Sequence, residues 1–180
     1  MIEKVLHRGN MLRAYTHVVA NKGSAGADGM RVEELALHLK ENRGAIATAI
    51  CNGRYLPQPI LGVEIPKSNG KSRLLGIPTV TDRMLQQAVN QVLTPLFELE
   101  FREHSYGFRP GRNAHQALQQ AHKCIHEGYQ HIVDIDLANF FDEVDHCLLL
   151  QLLYRKVKCP LTLRLIRKWL RAPILIKGRL

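Results

Sequence analysis

Apolar positions recur along this chain in two different periods, and the changes of period mark out its elements. Residues 1–20 and 32–50 carry apolar side chains at helical spacing, as with Leu35, Leu39, Ile46 and Ile50 in the second stretch. Between them "NKGSAGADG", residues 21–29, is small and glycine-rich. It suits neither regular element, but it lets backbone approach a neighbour closely or serves as a flexible connector. Two β-prone runs follow, near 60–66 and 71–77, flanking Asn69-Gly70, a strong hairpin-turn signal. Helical spacing returns over 80–98, with Thr81 or Asp82 as the expected N-cap and Met84, Leu85, Ala88, Val92 and Leu96 on one side. Further helices are expected over 114–126, 145–157 and 161–171. The turn-rich "SYGFRPGRN", residues 105–113, precedes the first of them.

Between the helices at 114–126 and 145–157 lies "HIVDIDLANFFDEVDH", which holds five acidic residues: Asp134, Asp136, Asp142, Glu143 and Asp145. Its first half predicts a strand. Val133, Ile135 and Leu137 share one face, and Ile132, Asp134 and Asp136 share the other. Carboxylates held that close repel one another, so a cation is their natural partner. One or two aspartates, with water and phosphate completing the shell, describe a magnesium site. Solvated aspartates at the end of a surface strand fit the same spacing.

Composition narrows the classes. Hydrophobic residues make up 46% and charged residues 23%, which is ordinary for a globular chain. No apolar run approaches the roughly 18 residues of a membrane span, and no signal peptide is evident. Four scattered cysteines suit a reducing compartment, so a cytoplasmic protein is expected. "HKCIH" (His122, Cys124, His126) reads as a solvated helix face rather than a zinc site, because no second ligand pair has metal spacing. "GKS" at residues 70–72 is no P-loop, since Ile65 stands where the motif needs a glycine.

The net charge of +9 is unevenly placed. Residues 1–145 hold 16 charges of each sign, whereas nine basic residues and no acidic one follow Asp145. In the last helix Arg164, Arg167, Lys168 and Arg171 fall on one face. One-sided positive charge points to a polyanion partner, with a merely solvated basic face as the alternative. Lys67, Lys71 and Arg73 sit close to the hairpin turn, where a phosphate clamp is the sharper reading and surface solvation the plainer one.

At this point three strings carry a resemblance: "SRLLGIPTVTDRMLQQAVNQVLTPLFE", "SYGFRPGRNAHQAL" and "IVDIDLANFFDEVDH". Together they resemble the reverse transcriptases encoded by bacterial group II introns, and "KGSAGADGM" resembles that family's N-terminal extension loop. The strings occur in order from about Lys22 to the chain end. Retron and CRISPR-associated reverse transcriptases share parts of the pattern.

The resemblance implies an α+β fold, a right-hand polymerase's fingers with the beginning of the palm: helix-rich, with a β-hairpin and a short palm sheet. It implies an extension helix and glycine-rich loop over 1–31, fingers over 32–128, and the start of the palm over 129–180. In the family's first palm motif an aspartate is followed five positions later by an aromatic, then by another aspartate. That frame selects Asp136, Phe141 and Asp142. Asp136 is then the catalytic carboxylate and a ligand of Mg2+ (or Mn2+), with the Leu137 carbonyl as a further ligand, while Asp134 stands outside the ligand set. Phe141 takes the place of the residue that excludes a 2′-hydroxyl, and Asp142 and Asp145 cap or pair locally.

Lys67 and Arg73 match contacts to the incoming triphosphate, and Arg109 and Arg112 fit contacts to template and substrate. Gly23, Ser24, Ala25 and Gly26 would lie over the template strand. The partners implied are an intron RNA template, a DNA primer and deoxynucleoside triphosphates. The family's Tyr-Ala-Asp-Asp motif is absent, so the expectation is an N-terminal fragment, inactive alone, of an RNA-directed DNA polymerase and splicing maturase. An uncovered sheet edge makes a homodimer an expected state. A non-catalytic RNA-binding module competes with this reading. A membrane-surface protein would explain the last helix but nothing in residues 57–145.

Overall fold

The structure is a computed structural model that describes residues 1–66, 70 and 72–176. Lys67 and Lys71, expected near the hairpin turn, and Lys177 and Arg179, the last of the nine basic residues after Asp145, lie outside the described residues. The chain divides into two compact units, Met1–Leu93 with His146–Leu180, and Thr94–Asp145.

In the first unit the expected N-terminal helix is two helices, α1 (Ile2–Leu6) and α2 (Arg8–Ala20). The break has a local cause. His7 is extended at ψ 135°, and its Nδ1 accepts the Gly9 N–H at 3.3 Å, which starts a new helix. Then come α3 (Leu35–Cys51), the strands β1 (Ile60–Pro66) and β2 (Ser72–Ile77), and α4 (Val80–Phe97). β1 and β2 pair antiparallel from Leu61 opposite Ile77 to Pro66 opposite Ser72. Gly70 has the positive φ, 77°, that the hairpin signal anticipates. The helices α6 (His146–Val157) and α7 (Pro160–Leu170) lead into β3 (Ile174–Ile176), which lies parallel beside β1 to give the order β2-β1-β3.

The core forms around α4, where Met84, Leu85, Ala88 and Val89 are buried with Val5, Ala14, Leu35, Ile50 and Leu165. Two polar ties cross it. The buried Asn10 donates from Nδ2 to the carbonyls of Val5 and Ala88, both at 2.9 Å, and accepts from Gln91 Nε2 at 2.8 Å. The second tie is Asp82, only 1% exposed. Its Oδ1 accepts from Tyr55 Oη at 2.8 Å and from Trp169 Nε1 at 2.9 Å. Its Oδ2 accepts from the Gln58 N–H at 3.1 Å and from Thr79 Oγ1 at 2.9 Å. The N-cap of α4 is therefore Thr79 rather than Thr81 or Asp82, and its Oγ1 accepts the Asp82 N–H at 3.2 Å. Burial, and then the charge of Asp82, push the Tyr55 phenol well above its usual range and keep it a donor.

The second unit contains the end of α4, a short 3-10 turn at Glu98–Glu100, and α5 (Ala114–His126). The expected strand over 132–137 does not form: no regular element covers it, and Val133, Ile135 and Leu137 are exposed together with Ile132. The sheet consists of the hairpin and β3 instead. A lone strand has no neighbour for its N–H and C=O groups, and none is supplied among the described residues. None of the described helices is long and apolar enough to cross a membrane.

Trp169→Phe removes one donor to a buried carboxylate and should lower unfolding stability by about 1–3 kcal/mol. Asp82→Ala, which strands four donors, should cost more than Trp169→Phe. Urea melts followed by far-ultraviolet circular dichroism measure both, and equal midpoints for wild type and Trp169→Phe would remove this tie.

Candidate nucleic-acid interface and acidic segment

The glycine-rich loop approaches the chain's own backbone. A Cβ on Gly26 would lie 2.6 Å from Thr79 Cα and 2.7 Å from Thr79 N, so only glycine fits against the cap of α4. Gly23 faces a side chain instead: its Cβ would meet Arg83 Nη1 at 2.8 Å. The Arg83 Nε and Nη2 are buried without a hydrogen-bond partner among the described residues. Burial lowers the pKa of Arg83, against an opposing effect of the Asp28 charge. Ser24 is exposed and Ala25 half-buried. On the hairpin, Arg73 is exposed opposite Ile65, in the strand leading away from the turn.

The loop over 101–113 is organised by Arg109, whose side chain is only 7% exposed. Its guanidinium donates to Glu98 Oε1 at 2.7 and 3.0 Å and to the carbonyls of Arg102 and Ser105 at 2.8 and 2.9 Å. It also lies 5.0 Å from the Phe101 ring centroid. Those contacts engage the cation internally. Arg112 lies over the Tyr106 ring at 5.4 Å and pairs with no acid among the described residues. Asn113 closes the loop through a reciprocal cap with Gln116, its Oδ1 accepting the Gln116 N–H at 3.0 Å.

In the acidic segment Asp134, Asp136 and Leu137 are exposed. A turn follows, in which Asn139 has φ 51° and its carbonyl accepts from Asp142 N at 2.9 Å and Glu143 N at 3.1 Å. The turn carries Phe141, 85% exposed, edge-to-face with Phe140 at 5.3 Å between centroids. Carboxylate and carbonyl oxygens are hard donors that suit Mg2+ or Mn2+. No cluster of three ligating side chains occurs among the described residues.

The basic face of α7 divides. Lys168 Nζ donates to the carbonyls of Gly53 and Tyr55 at 2.8 and 2.6 Å, closing the exit of α3. Arg164 packs on Gly53, whereas Arg167 and Arg171 are exposed without an ion pair among the described residues. Periodicity put these residues on one face, but it could not show which of them the chain itself would use. It gave no sign of Asp82 as a hub, or of the Arg83 guanidinium under the loop.

Residues 65–179 match the family described as reverse transcriptase (RNA-dependent DNA polymerase), and the chain belongs to that family. It is 34% identical to protein YkfC of Escherichia coli over 160 residues, covering 86% of this chain and 42% of the relative. It is 36% identical to the group II intron-encoded protein LtrA of Lactococcus lactis over 160 residues, covering 88% of this chain and 26% of the relative. A nuclear intron maturase of Arabidopsis thaliana, mitochondrial, shares 32% over 94 residues, 52% of this chain and 13% of its own length. The chain thus spans less than half the length of these relatives.

The two loop glycines separate packing from flexibility. Gly26→Ala must displace backbone and should cost about 1–3 kcal/mol, while Gly23→Ala meets only the end of a flexible side chain and should stay within about 0.5 kcal/mol. Thermal or urea unfolding of the two variants compares them directly, and equal losses would contradict the contact with Thr79.

Proposed function

We propose that this chain is the fingers and first palm motif of a group II intron-type, RNA-directed DNA polymerase that also binds its intron RNA as a maturase. The family match over residues 65–179 carries the reading, because it includes the frame of Asp136, Phe141 and Asp142. In it Asp136 is the catalytic carboxylate, and Asp136 with the Leu137 carbonyl would hold Mg2+ or Mn2+. Bound there, the cation supplies charge stabilisation to the phosphoryl oxygens in transfer. Phe141, exposed on its turn, excludes a 2′-hydroxyl by bulk. Arg73, with Lys67, holds the triphosphate through charge. Arg109 acts by fixing the loop from which Arg112 reaches a phosphate, and Arg167 and Arg171 add backbone contacts.

DNA synthesis belongs, in this reading, to a longer protein. The first palm motif supplies Asp136 as its one metal-binding carboxylate, and two-metal transfer needs more carboxylates than one motif supplies. The chain by itself is an RNA binder without polymerase activity, and apolar side chains left open over 132–137 favour its self-association.

Asp136→Asn in the longer protein should abolish primer extension on an RNA template while leaving RNA affinity within about twofold, since shape is kept and only the charge for the cation is lost. Retained extension would take Asp136 out of the site. For the chain alone, binding to a structured RNA should weaken steeply with salt, by about tenfold or more between 50 and 200 mM, as cations release phosphate counterions. Filter binding across that range reads the slope; no binding at the low-salt end contradicts the interface, and primer extension by the chain alone contradicts the division of labour.

A further inference from the structure

One side chain of the 101–113 loop has no part in the roles above. Phe108 is 110% exposed, and its backbone stands at φ 55°, the left-handed region that bulky L-residues avoid. A loop free to relax would give up that conformation. This one is held by the next residue, because Arg109 is locked to Glu98, to two carbonyls and to the Phe101 ring. Strained residues that persist because their surroundings fix them concentrate at binding sites.

The surroundings of the ring show what it can receive. At Gly107 and Gly111 a Cβ would meet nothing within 4 Å, so open space lies on both sides of Phe108 in the chain. Its near neighbours Gly107, Pro110 and Gly111 offer little apolar side-chain area to a protein partner. Arg102 and Arg112 nearby pair with no acid among the described residues. An aromatic face in the open on a held backbone, beside unpaired cations, is how single strands are held without sequence preference, bases on rings and phosphates on cations. We propose that Phe108 is a stacking platform for an unpaired base of a single-stranded nucleic acid, with Arg112 on the adjoining phosphate. The proposal rests on the nucleic-acid reading above and adds to it a ligand feature, an unstacked base, and the residue that takes it.

The test titrates this chain, and its Phe108→Ala, Phe108→Leu and Phe108→Trp variants, with a fluorescein-labelled, unstructured oligouridine RNA at fixed low salt. Because the ring is fully exposed, all four should give the same circular dichroism spectrum. Phe108→Ala and Phe108→Leu should bind about 5- to 100-fold more weakly, the loss expected for one stacked base. Phe108→Trp should keep the affinity and show tryptophan quenching at saturation, against the wild-type baseline from Trp169. The salt slope should be the same for all, since no phosphate contact is removed. An abasic strand of equal length should bind wild type and Phe108→Ala alike. Salt-dependent wild-type binding with no loss in Phe108→Ala overturns the platform and leaves the nucleic-acid reading standing. Full affinity in Phe108→Leu overturns it too, by showing that apolar area suffices, as a protein partner would require. No binding by the wild type at low salt overturns the nucleic-acid reading itself.

Discussion

A buried carboxylate with no cationic partner among the described residues sets the terms for the rest of this structure. Desolvating Asp82 is affordable only because four donors converge on it, from Tyr55, Gln58, Thr79 and Trp169. Three of those donors stand next to strands. Gln58 lies two residues before β1, Thr79 two residues after β2, and Trp169 a few residues before β3. Satisfying one charge therefore brings together the ends of all three strands of the sheet. The parallel pairing of Ile60 with Ile174, across most of the chain, becomes a local event once Trp169 has reached Asp82. Lys168 strengthens the same junction by taking the carbonyls of Gly53 and Tyr55, which the end of α3 leaves without helical partners.

The glycine-rich loop hangs from the same point. Gly26 touches the backbone of Thr79, the residue that both caps α4 and donates to Asp82. The hairpin base, the helix start and the loop thus share one residue, and a change there is felt by each. The other unit solves its own problem separately and by the opposite chemistry: a nearly buried guanidinium, that of Arg109, gathers one carboxylate and two carbonyls to shape a loop with little regular structure. In both places a charge drawn in from the surface fixes backbone near residues that the family resemblance assigns to nucleic acid.

Helices and hairpin were legible because their signals are local. Periodicity located α4, α5, α6 and α7 to within a residue or two, and Asn69-Gly70 located the hairpin. The break at His7 was hidden because a side-chain cap interrupts a helix without changing its apolar spacing. β3 was hidden because three residues paired to a strand more than a hundred positions away leave no local pattern. Asp82 looked like a cap because it stands in a helix's first turn, and its partners at 24, 27 and 87 residues' distance could not be inferred from that. Among the site residues, the assignments of Asp136 and Phe141 rest on the order of motifs alone. The internal engagement of Arg109 and Lys168 was not legible, since sequence records that a residue is cationic but not what neutralises it.

The missing strand over 132–137 follows the same logic. The period-two pattern is intact there, yet alternation specifies only which residues share a face, not that a neighbour is present to pair with. Were a neighbouring strand to pair with it, only registers differing by an even number of residues would bury Val133, Ile135 and Leu137, because a slip of one residue would bury Asp134 and Asp136 instead. Burying that apolar triad and leaving the carboxylates on the opposite face are consequently a single structural event. A substitution such as Val133→Asp would then disturb the face that carries Asp136, the proposed ligand, from the opposite side of the strand.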